Sequence, residues 1–329
     1  MNAAPLHRTL RRLGVALALG ACALSASAQG DAYPNKPIRL VLPYAVGGSS
    51  DILARMLGPK LAESLGQPVV IENRPGAGGI IGVNFVGKAP ADGYTLLMSS
   101  SAEAMLPSLY QTPPYDYVNG FTPVSMLVSF PFMIVASPTL PAKNIAELVA
   151  TAKAKPGGVT YASAGNGATS HIVPEQFATA LGVKLLHVPY KGTGPAVLAL
   201  AGGEANIGIY SIASAGTQLK SGRLRALAFT GLKRSPAFPD VPTIAETVLP
   251  GYEASIWIGI VAPASTPAAI VARLNREFTR VMRLPEVTER LAGLQLDLVA
   301  SSAEEFGEAI RKDVAKWSKV VKDSGAKAD

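Results

Sequence analysis

Several turns rich in glycine and hydroxyl residues lie where an apolar strand passes into an amphipathic helix. The first runs Tyr44-Ala45-Val46-Gly47-Gly48-Ser49 and follows an apolar segment that begins at Ile38. Glycine lets the backbone approach a ligand closely, and the free N–H groups at a helix start favour an anion by about 0.3–1 kcal/mol. We therefore expect noncovalent anion binding at this turn, whose residues include Tyr44, Ala45, Gly47, Gly48 and Ser49.

The same turn also fits an ordinary helix start. Ser49 or Ser50 can act as the N-cap, and Asp51 can satisfy backbone donors in the first helical turn. A carboxylate at Asp51 also repels a nearby anion, so a bound anion here would be neutralised or shared. Both interpretations stay open for this turn taken alone.

A second strand-to-helix turn, from Tyr161 to His171, offers backbone donors and polar side chains. Its candidate ligand-binding residues are Gly165, Asn166, Gly167, Thr169, Ser170 and His171. The glycine spacing falls one residue short of the dinucleotide fingerprint, which leaves a nucleotide site as an alternative. We interpret His171 as a first-turn residue satisfied locally, not as a general base, and His187 as a core residue.

Three further strand ends carry similar residues. Pro189, Tyr190 and Lys191 form one of them; Tyr190 can wall a pocket, while Lys191 either pairs with a distal carboxylate or is an ordinary surface lysine. The other two are Ser100-Ser101-Ala102 and Tyr210-Ser211. Ligands of open α/β sheets bind beyond the carboxyl ends of the strands, so these five ends predict one shared cleft.

The groups needed for catalysis are missing. The sequence has 3 histidines and 1 cysteine, and they form no cluster with metal-ligand spacing. It contains neither the Gly-x-Ser-x-Gly nucleophile elbow nor a phosphate-binding P-loop. A hydrolase or an oxidoreductase would need a nucleophile–base pair or a cofactor fingerprint. We therefore expect a binding protein and not an enzyme, with no cofactor and no bound metal.

The elements that must position these turns alternate between apolar strands and helices. This alternation predicts an α/β fold of two lobes, each a mainly parallel sheet flanked by helices. We assign residues 31–128 plus 232–329 to lobe 1 and residues 129–231 to lobe 2. The chain would cross between lobes near 129–135 and 227–230, and Pro131 marks an edge or a bend in the first crossing. Two hinge strands suit closure over a ligand.

The N-terminus has the pattern of an export signal, which places the mature protein in the periplasm. Arg8, Arg11 and Arg12 precede an apolar run, and Ala26-Ser27-Ala28 provides the small residues of a cleavage site near Ala28. An uncleaved anchor helix is an alternative. Leu19-Gly20-Ala21-Cys22 also resembles a lipobox, which would attach a lipid to Cys22, and Arg11-Arg12 fits a twin-arginine signal.

The charge and the cysteine content limit the classes of partner and of chemistry that we expect for this protein. Removing residues 1–28 removes three arginines and no acids, which lowers the formal net charge from +7 to +4. The remaining basic residues are scattered, so we expect no nucleic-acid partner. Because Cys22 is the sole cysteine, the cleaved protein has no disulfide or thiol chemistry. We expect a monomer.

Ordered motifs from about residue 33 onward resemble the Bug receptors of tripartite tricarboxylate transporters. The segments that carry the resemblance are Gly47-Gly48-Ser49-Ser50-Asp51, Glu72-Asn73-Arg74-Pro75-Gly76-Ala77-Gly78-Gly79, Asp92-Gly93-Tyr94-Thr95-Leu96-Leu97, His187-Val188-Pro189-Tyr190-Lys191-Gly192 and Asp240-Val241-Pro242-Thr243.

This resemblance implies a clamshell periplasmic binding protein that holds a carboxylate between its lobes, with a dicarboxylate or an aromatic acid favoured. It also implies membrane permease subunits as partners; docking on a signalling partner, as a carboxylate sensor, is the alternative role. Many members place an Asp after the strand at Ile207 to bind an amino group. Here Tyr210 and Ser211 occupy that region, which argues against an amino-acid ligand and for an uncharged or aromatic distal end.

Overall fold

A computed structural model describes residues 33–110 and 112–324 of the chain. The chain divides into a leading unit, residues 1–36, and a compact unit from Pro37 onward. Within the leading unit, the described residues Tyr33–Lys36 contain no helix or strand. The predicted signal peptide, its cleavage site and Cys22 lie outside the described residues.

The first sheet has six strands in the order β11-β4-β10-β3-β1-β2. The β1–β2 and β1–β3 pairs are parallel, whereas β10 runs antiparallel to both β3 and β4. Strand β11 pairs antiparallel with β4. The strands are β1 (Ile38–Leu42), β2 (Val69–Asn73), β3 (Thr95–Ser100), β4 (Phe121–Pro131), β10 (Ser255–Pro263) and β11 (Asp297–Leu298).

The second sheet has five strands in the order β7-β6-β8-β5-β9. Strand β6 pairs parallel with β7 and β8, and β5 pairs antiparallel with β8 and β9. Both sheets are therefore mixed, because β10 and β11 in the first sheet and β5 in the second run against the other strands. The strands are β5 (Met133–Ala136), β6 (Val159–Ser163), β7 (Leu185–Pro189), β8 (Ile207–Tyr210) and β9 (Arg225–Phe229).

Helices follow most strands and cover the sheets. Helix α1 shows the local logic: Leu53, Leu57, Leu61 and Leu65 recur every four residues and are buried on one face, and Gly66 in the left-handed region ends the helix. The helices are α1 (Ser49–Leu65), α2 (Ile80–Gly87), α3 (Ser101–Met105), α4 (Ile145–Ala154), α5 (Thr169–Leu181), α6 (Thr193–Ala201), α7 (Ile212–Lys220), α8 (Ile244–Thr247), α9 (Ala268–Met282), α10 (Pro285–Leu294) and α11 (Ala303–Ser324).

The chain passes between the sheets at two places that lie side by side. The first is the bend between β4 and β5, where Pro131 ends one strand and Met133 begins the next. The second is Thr230, directly after β9, whose N–H donates to the Phe132 carbonyl at 2.9 Å. The predicted bend at Pro131 is confirmed by this break in the strand.

Each sheet has its own core. Trp257 and Phe306 pack edge to face at 5.0 Å beside the first sheet, in a cluster that includes Val41, Leu97 and Val261. The second cluster contains Met133, Leu200, Tyr210 and Phe229. Two separate cores leave the strand ends between them available to form a cleft.

Candidate functional site

The turns of both sheets meet around a chamber of about 620 Å³, counting the part open to solvent. The chamber is lined by helix starts and by apolar side chains of the strands, and we call the apolar part of its lining the apolar side. Residues of both sheets line the chamber, so it lies between the lobes. We call it the chamber below.

The first turn presents unused backbone donors to the chamber. The N-cap of α1 is Gly48, and no side chain caps the helix. Neither Ser49 nor Ser50 therefore plays the capping role that the alternative interpretation gave them. The N–H groups of the first helical turn have no acceptor within the helix, and Gly48, Ser49 and Ser50 line the chamber.

Asp51 does satisfy a backbone donor, as the same alternative proposed. Its Oδ2 accepts from Gly47 N–H at 3.1 Å, so this N–H is already used. Burial opposes ionisation of Asp51, but hydrogen bonds from Arg55, Gly47 and Asn73 outweigh it and lower the pKa of the carboxyl. The carboxylate is 6% exposed and lies 3.0 Å from the Arg55 guanidinium. Asp51 is thus an ionised, paired group in the chamber wall.

The second turn also ends in an uncapped helix. The N-cap of α5 is Ala168, which has no side chain able to cap it. Ser170 Oγ turns inward and accepts from Ala164 N–H at 2.9 Å. Thr169 and Ser170 line the chamber, and their N–H groups are the second set of unused donors. The N–H of His171 is already used, since it donates to the Ala168 carbonyl at 2.8 Å.

Two stacked histidines lie next to this turn, and one of them is hydrogen-bonded to it. The rings of His171 and His187 lie 4.1 Å apart and nearly parallel, and the Tyr161 ring stacks on His187 at 4.8 Å. His171 Nδ1 accepts from Gly167 N–H at 3.1 Å, so it carries no proton on that nitrogen. Burial lowers the pKa of His171 to about 4; burial and then repulsion from His171 lower the pKa of His187 to about 4.

The third turn leads into a third uncapped helix, α6, whose N-cap is Gly192. Thr193 lines the chamber. Pro189, Tyr190 and Lys191 lie instead in a wider outer cleft of about 1220 Å³. There the Tyr190 hydroxyl donates to Glu204 at 3.2 Å, and Lys191 is exposed.

The strand end at Ser100 differs from the three turns described above, because a side chain caps the helix that follows it. Ser100 and Glu103 form a reciprocal capping box at the start of α3. Burial is the main influence on Glu103 and raises the pKa of its carboxyl, which hydrogen bonds from Ser100 partly offset. Ser101 does not line the chamber; its Oγ accepts from Trp257 N–H at 3.2 Å.

The Tyr210 end is capped as well. Ser211 is the N-cap of α7 and accepts from Ser214 N–H. The Tyr210 side chain is 1% exposed and its hydroxyl donates to the Ala162 carbonyl at 2.7 Å. Across the cleft, Ser49 Oγ lies 2.6 Å from Ser211 Oγ, which links the two lobes directly.

The two lobes approach closely where glycines face each other. A Cβ atom at Gly194 would lie 2.7 Å from the Val46 carbonyl oxygen, closer than real Cβ contacts allow. At Gly78 it would lie 2.1 Å from the Asn166 carbonyl oxygen. The glycines of these turns therefore permit contact between the lobes as well as approach to a ligand.

The sequence-predicted site residues fall into three groups. Nine line the chamber: Tyr44, Ala45, Gly48, Ser49, Ser100, Thr169, Ser170, Tyr210 and Ser211. Others line the outer cleft, which Tyr44 and Ala45 share: Gly165, Asn166, Pro189, Tyr190 and Lys191. The rest line neither cavity: Gly47, Ser101, Ala102, Gly167 and His171.

Sequence reasoning missed the apolar side of the chamber. Phe130, Phe132, Ile256 and Ile258 line it; they come from the end of β4, the bend that follows it, and β10. The sequence signal was present, because Phe130-Pro131-Phe132 places two aromatic residues around the predicted bend. Thr193 and Ser214 were also missed, although each lies within four residues of a predicted turn. Within residues 33–110 and 112–324, no group of three or more histidine, cysteine or acidic side chains can hold a metal ion.

The chain is similar to known receptors over most of its length. A family model described as "Tripartite tricarboxylate transporter family receptor" matches residues 53–326. The chain is 38% identical to Protein BugT of Bordetella pertussis over 322 residues, covering 97% of this chain and 98% of that protein.

Two solved structures have the same fold at appreciable identity. The periplasmic binding protein BugD is 36% identical with a TM-score of 0.85, over 90% of this chain and 99% of that one. R. palustris Rpa4515 with adipate is 34% identical with a TM-score of 0.85, over 89% of this chain and 98% of that one. The predicted two-lobe periplasmic binding protein fold and the resemblance to Bug receptors are confirmed. In the described part of the chain, no helix combines the length and apolar character needed to cross a bilayer.

Proposed function

Because the chain belongs to the tripartite tricarboxylate transporter receptor family, a family of binding proteins and not of enzymes, we propose that it captures a small carboxylate between its lobes for a transporter of this type. The ligand class is a dicarboxylate or an aromatic acid. The protein acts in the periplasm after cleavage near Ala28, as a monomer. Its partners are the membrane permease subunits.

We also propose the boundaries of the two lobes. Residues 31–128 plus 232–329 form lobe 1 and residues 129–231 form lobe 2, and the lobes meet at the chamber. Closure around the ligand requires that the ligand binds the closed arrangement better than the open one. The contact between Ser49 and Ser211 is one that closure forms.

One observation carries the proposal: three helices that begin at the chamber have no side-chain cap. They are α1, α5 and α6, with N-caps Gly48, Ala168 and Gly192. Buried backbone donors need an acceptor, and a carboxylate offers two oxygens that accept strong hydrogen bonds. Each helix dipole adds about 0.3–1 kcal/mol in favour of an anion. A relative whose structure contains adipate supports the same ligand chemistry.

A backbone substitution tests this proposal directly. Thr169 is the first residue of α5, and Ala168 before it has φ −65° and ψ 156°, which proline tolerates in the preceding residue. Thr169→Pro deletes one N–H at a position where proline suits a helix. Thr169→Ala is the matched control, because it loses the side chain and keeps the N–H.

We expect Thr169→Pro to weaken carboxylate binding about ten-fold or more, since a hydrogen bond to a charged group contributes about 1.5–3 kcal/mol. Thr169→Ala should bind within a few-fold of the unsubstituted protein. Calorimetry with ligands identified by mass spectrometry of co-purified small molecules gives the measurement. Equal binding by both variants would contradict the assignment of these donors, and uptake that does not need the protein would contradict the transport role.

A further inference from the structure

The chamber has an apolar side that the carboxylate proposal does not use. Phe130 and Phe132 lie edge to face, with ring centroids 6.0 Å apart. Together with Ile256 and Ile258 of β10 they line the chamber. All four side chains are at most 5% exposed, so a ligand that touches them is removed from water.

The chamber offers no cationic side chain. Among the described residues that line it, none is lysine or arginine, and Asp51 is the only one ionised at neutral pH. Arg55 pairs with Asp51 and is half exposed to solvent. Lys191 lies in the outer cleft. A charge buried against the apolar side would therefore have no partner there.

Two of the three sets of unused backbone donors, those of α1 and α6, lie close together. A Cβ atom at Gly48 would lie 3.4 Å from Thr193 Oγ1, so the starts of α1 and α6 nearly touch. The two other helix starts at the chamber are already capped by Ser100 and Ser211. The donors of α1 and α6 are thus close enough to share one anionic group.

From this asymmetry we infer that the ligand is a monocarboxylate whose remaining atoms are uncharged and mainly apolar. The inference rests on the proposed function and narrows its ligand class. The carboxylate contacts the uncapped helix starts, and the apolar body contacts Phe130, Phe132, Ile256 and Ile258. A second carboxylate placed among these side chains loses its hydration without gaining a partner, which is strongly unfavourable.

Three six-carbon probes separate the inference from the proposed function. Hexanoate and adipate have the same chain length and differ by the second carboxylate; hexanamide replaces the carboxylate with a neutral amide. We expect hexanoate to bind at least ten-fold more tightly than adipate, and hexanamide not to bind, by calorimetry on the mature protein. Adipate binding as tightly as hexanoate overturns the inference and leaves the proposed function standing. Hexanamide binding as tightly as hexanoate overturns the proposed function.

A substitution in the chamber wall provides a second readout. Ser214 lines the chamber and is partly exposed, so a longer side chain at this position does not replace a core residue. Ser214→Lys adds the missing cation, and Ser214→Gln is the neutral control of similar length. The quantity to compare is the ratio of adipate affinity to hexanoate affinity. We expect this ratio to be at least ten-fold higher in the lysine variant than in the glutamine variant. An unchanged ratio overturns the argument from charge. A melting temperature of the unsubstituted protein that adipate raises and hexanoate does not overturns the inference.

Discussion

Thr230 and Phe132 are joined by a pair of hydrogen bonds that ties together the two places where the chain crosses between sheets. Phe132 N–H donates to Thr230 Oγ1 at 2.8 Å, and Thr230 N–H donates to the Phe132 carbonyl at 2.9 Å. The Thr230 hydroxyl in turn donates to the Ala254 carbonyl at 2.6 Å. Thr230 is fully buried, so these groups have no access to water as a substitute.

We predict that Thr230→Val lowers the free energy of unfolding by about 2–4 kcal/mol. Valine keeps the shape of threonine but leaves a buried donor at Phe132 and a buried acceptor at Ala254 without partners, and each such group costs about 1–3 kcal/mol. Thr230→Ser keeps the hydroxyl and should cost less. Urea unfolding of the three proteins measures the difference; equal stability of the valine and serine variants would show that the hydroxyl is not needed.

The contact of Gly194 with Val46 gives a prediction about closure. Gly194→Ala places a methyl group 2.7 Å from the Val46 carbonyl oxygen, a contact that opening of the lobes relieves. Alanine in place of glycine normally stabilises a helix by about 0.5–1 kcal/mol. We therefore expect ligand affinity to fall at least ten-fold while the melting temperature of the ligand-free protein is unchanged or higher.

Gly293→Ala is the matched control for closure. Gly293 is also in a helix, and its added Cβ would meet nothing within 4 Å. This variant should bind ligand normally. If both alanine variants bind equally well, the lobes do not need the close approach of these turns to hold the ligand.

The alternation of strands and helices predicted most of the fold, because burial imposes a period on each element regardless of its neighbours. What the sequence did not predict depends on distant partners. The antiparallel strands β10 and β5 turn both sheets from mainly parallel into mixed, and strand direction leaves no local signal. Helices α3, α7, α8 and α10 were also not predicted.

The site shows the same division between local and tertiary information. The turns were identified from glycine and hydroxyl content, which is a local property. The sequence could not predict which backbone donors stay unused. At α1 they stay unused because the N-cap is Gly48, which has no side chain, and not Ser49 or Ser50. Phe130 and Phe132 were seen only as part of a bent strand, since their place in the chamber depends on Thr230, about a hundred residues away.

The histidine stack predicts a loss of stability in acid. The pKa of His171 is about 4 in the folded protein, against 6.5 for the free side chain. The folded state therefore binds a proton at His171 only at a lower pH than the unfolded state does. The stabilisation from neutral His171 is complete above about pH 6.5 and is lost as the pH falls towards 4. The full loss is roughly 3 kcal/mol at 1.36 kcal/mol per pKa unit.

His171→Asn isolates this contribution. The asparagine Oδ1 can accept from Gly167 N–H as Nδ1 does, and it does not titrate. The groups around His171 are the His187 and Tyr161 rings, with Glu175 held by the Tyr161 hydroxyl. We expect the unfolding free energy of the variant to fall less between pH 7 and pH 5 than that of the unsubstituted protein. Parallel pH profiles would contradict this assignment.

Asp51 and Arg55 lead to paired predictions of opposite sign. Asp51→Asn removes a negative charge from the chamber wall, keeps an acceptor for Gly47 N–H and leaves the Arg55 charge unpaired. We expect carboxylate affinity to rise several-fold. Arg55→Gln leaves the Asp51 charge unpaired beside the chamber, and carboxylate affinity should fall by a similar factor.

Salt dependence distinguishes this electrostatic effect from a change in turn geometry. Charges in a partly open cleft are screened, with a Debye length of about 10 Å at 0.1 M salt. The affinity differences between the Asp51 and Arg55 variants should therefore shrink as the salt concentration rises from 20 mM to 500 mM in calorimetric titrations. A loss of affinity in both variants that does not depend on salt would mean that the pair acts by holding the turn at Gly47, with its charge playing no part in ligand binding.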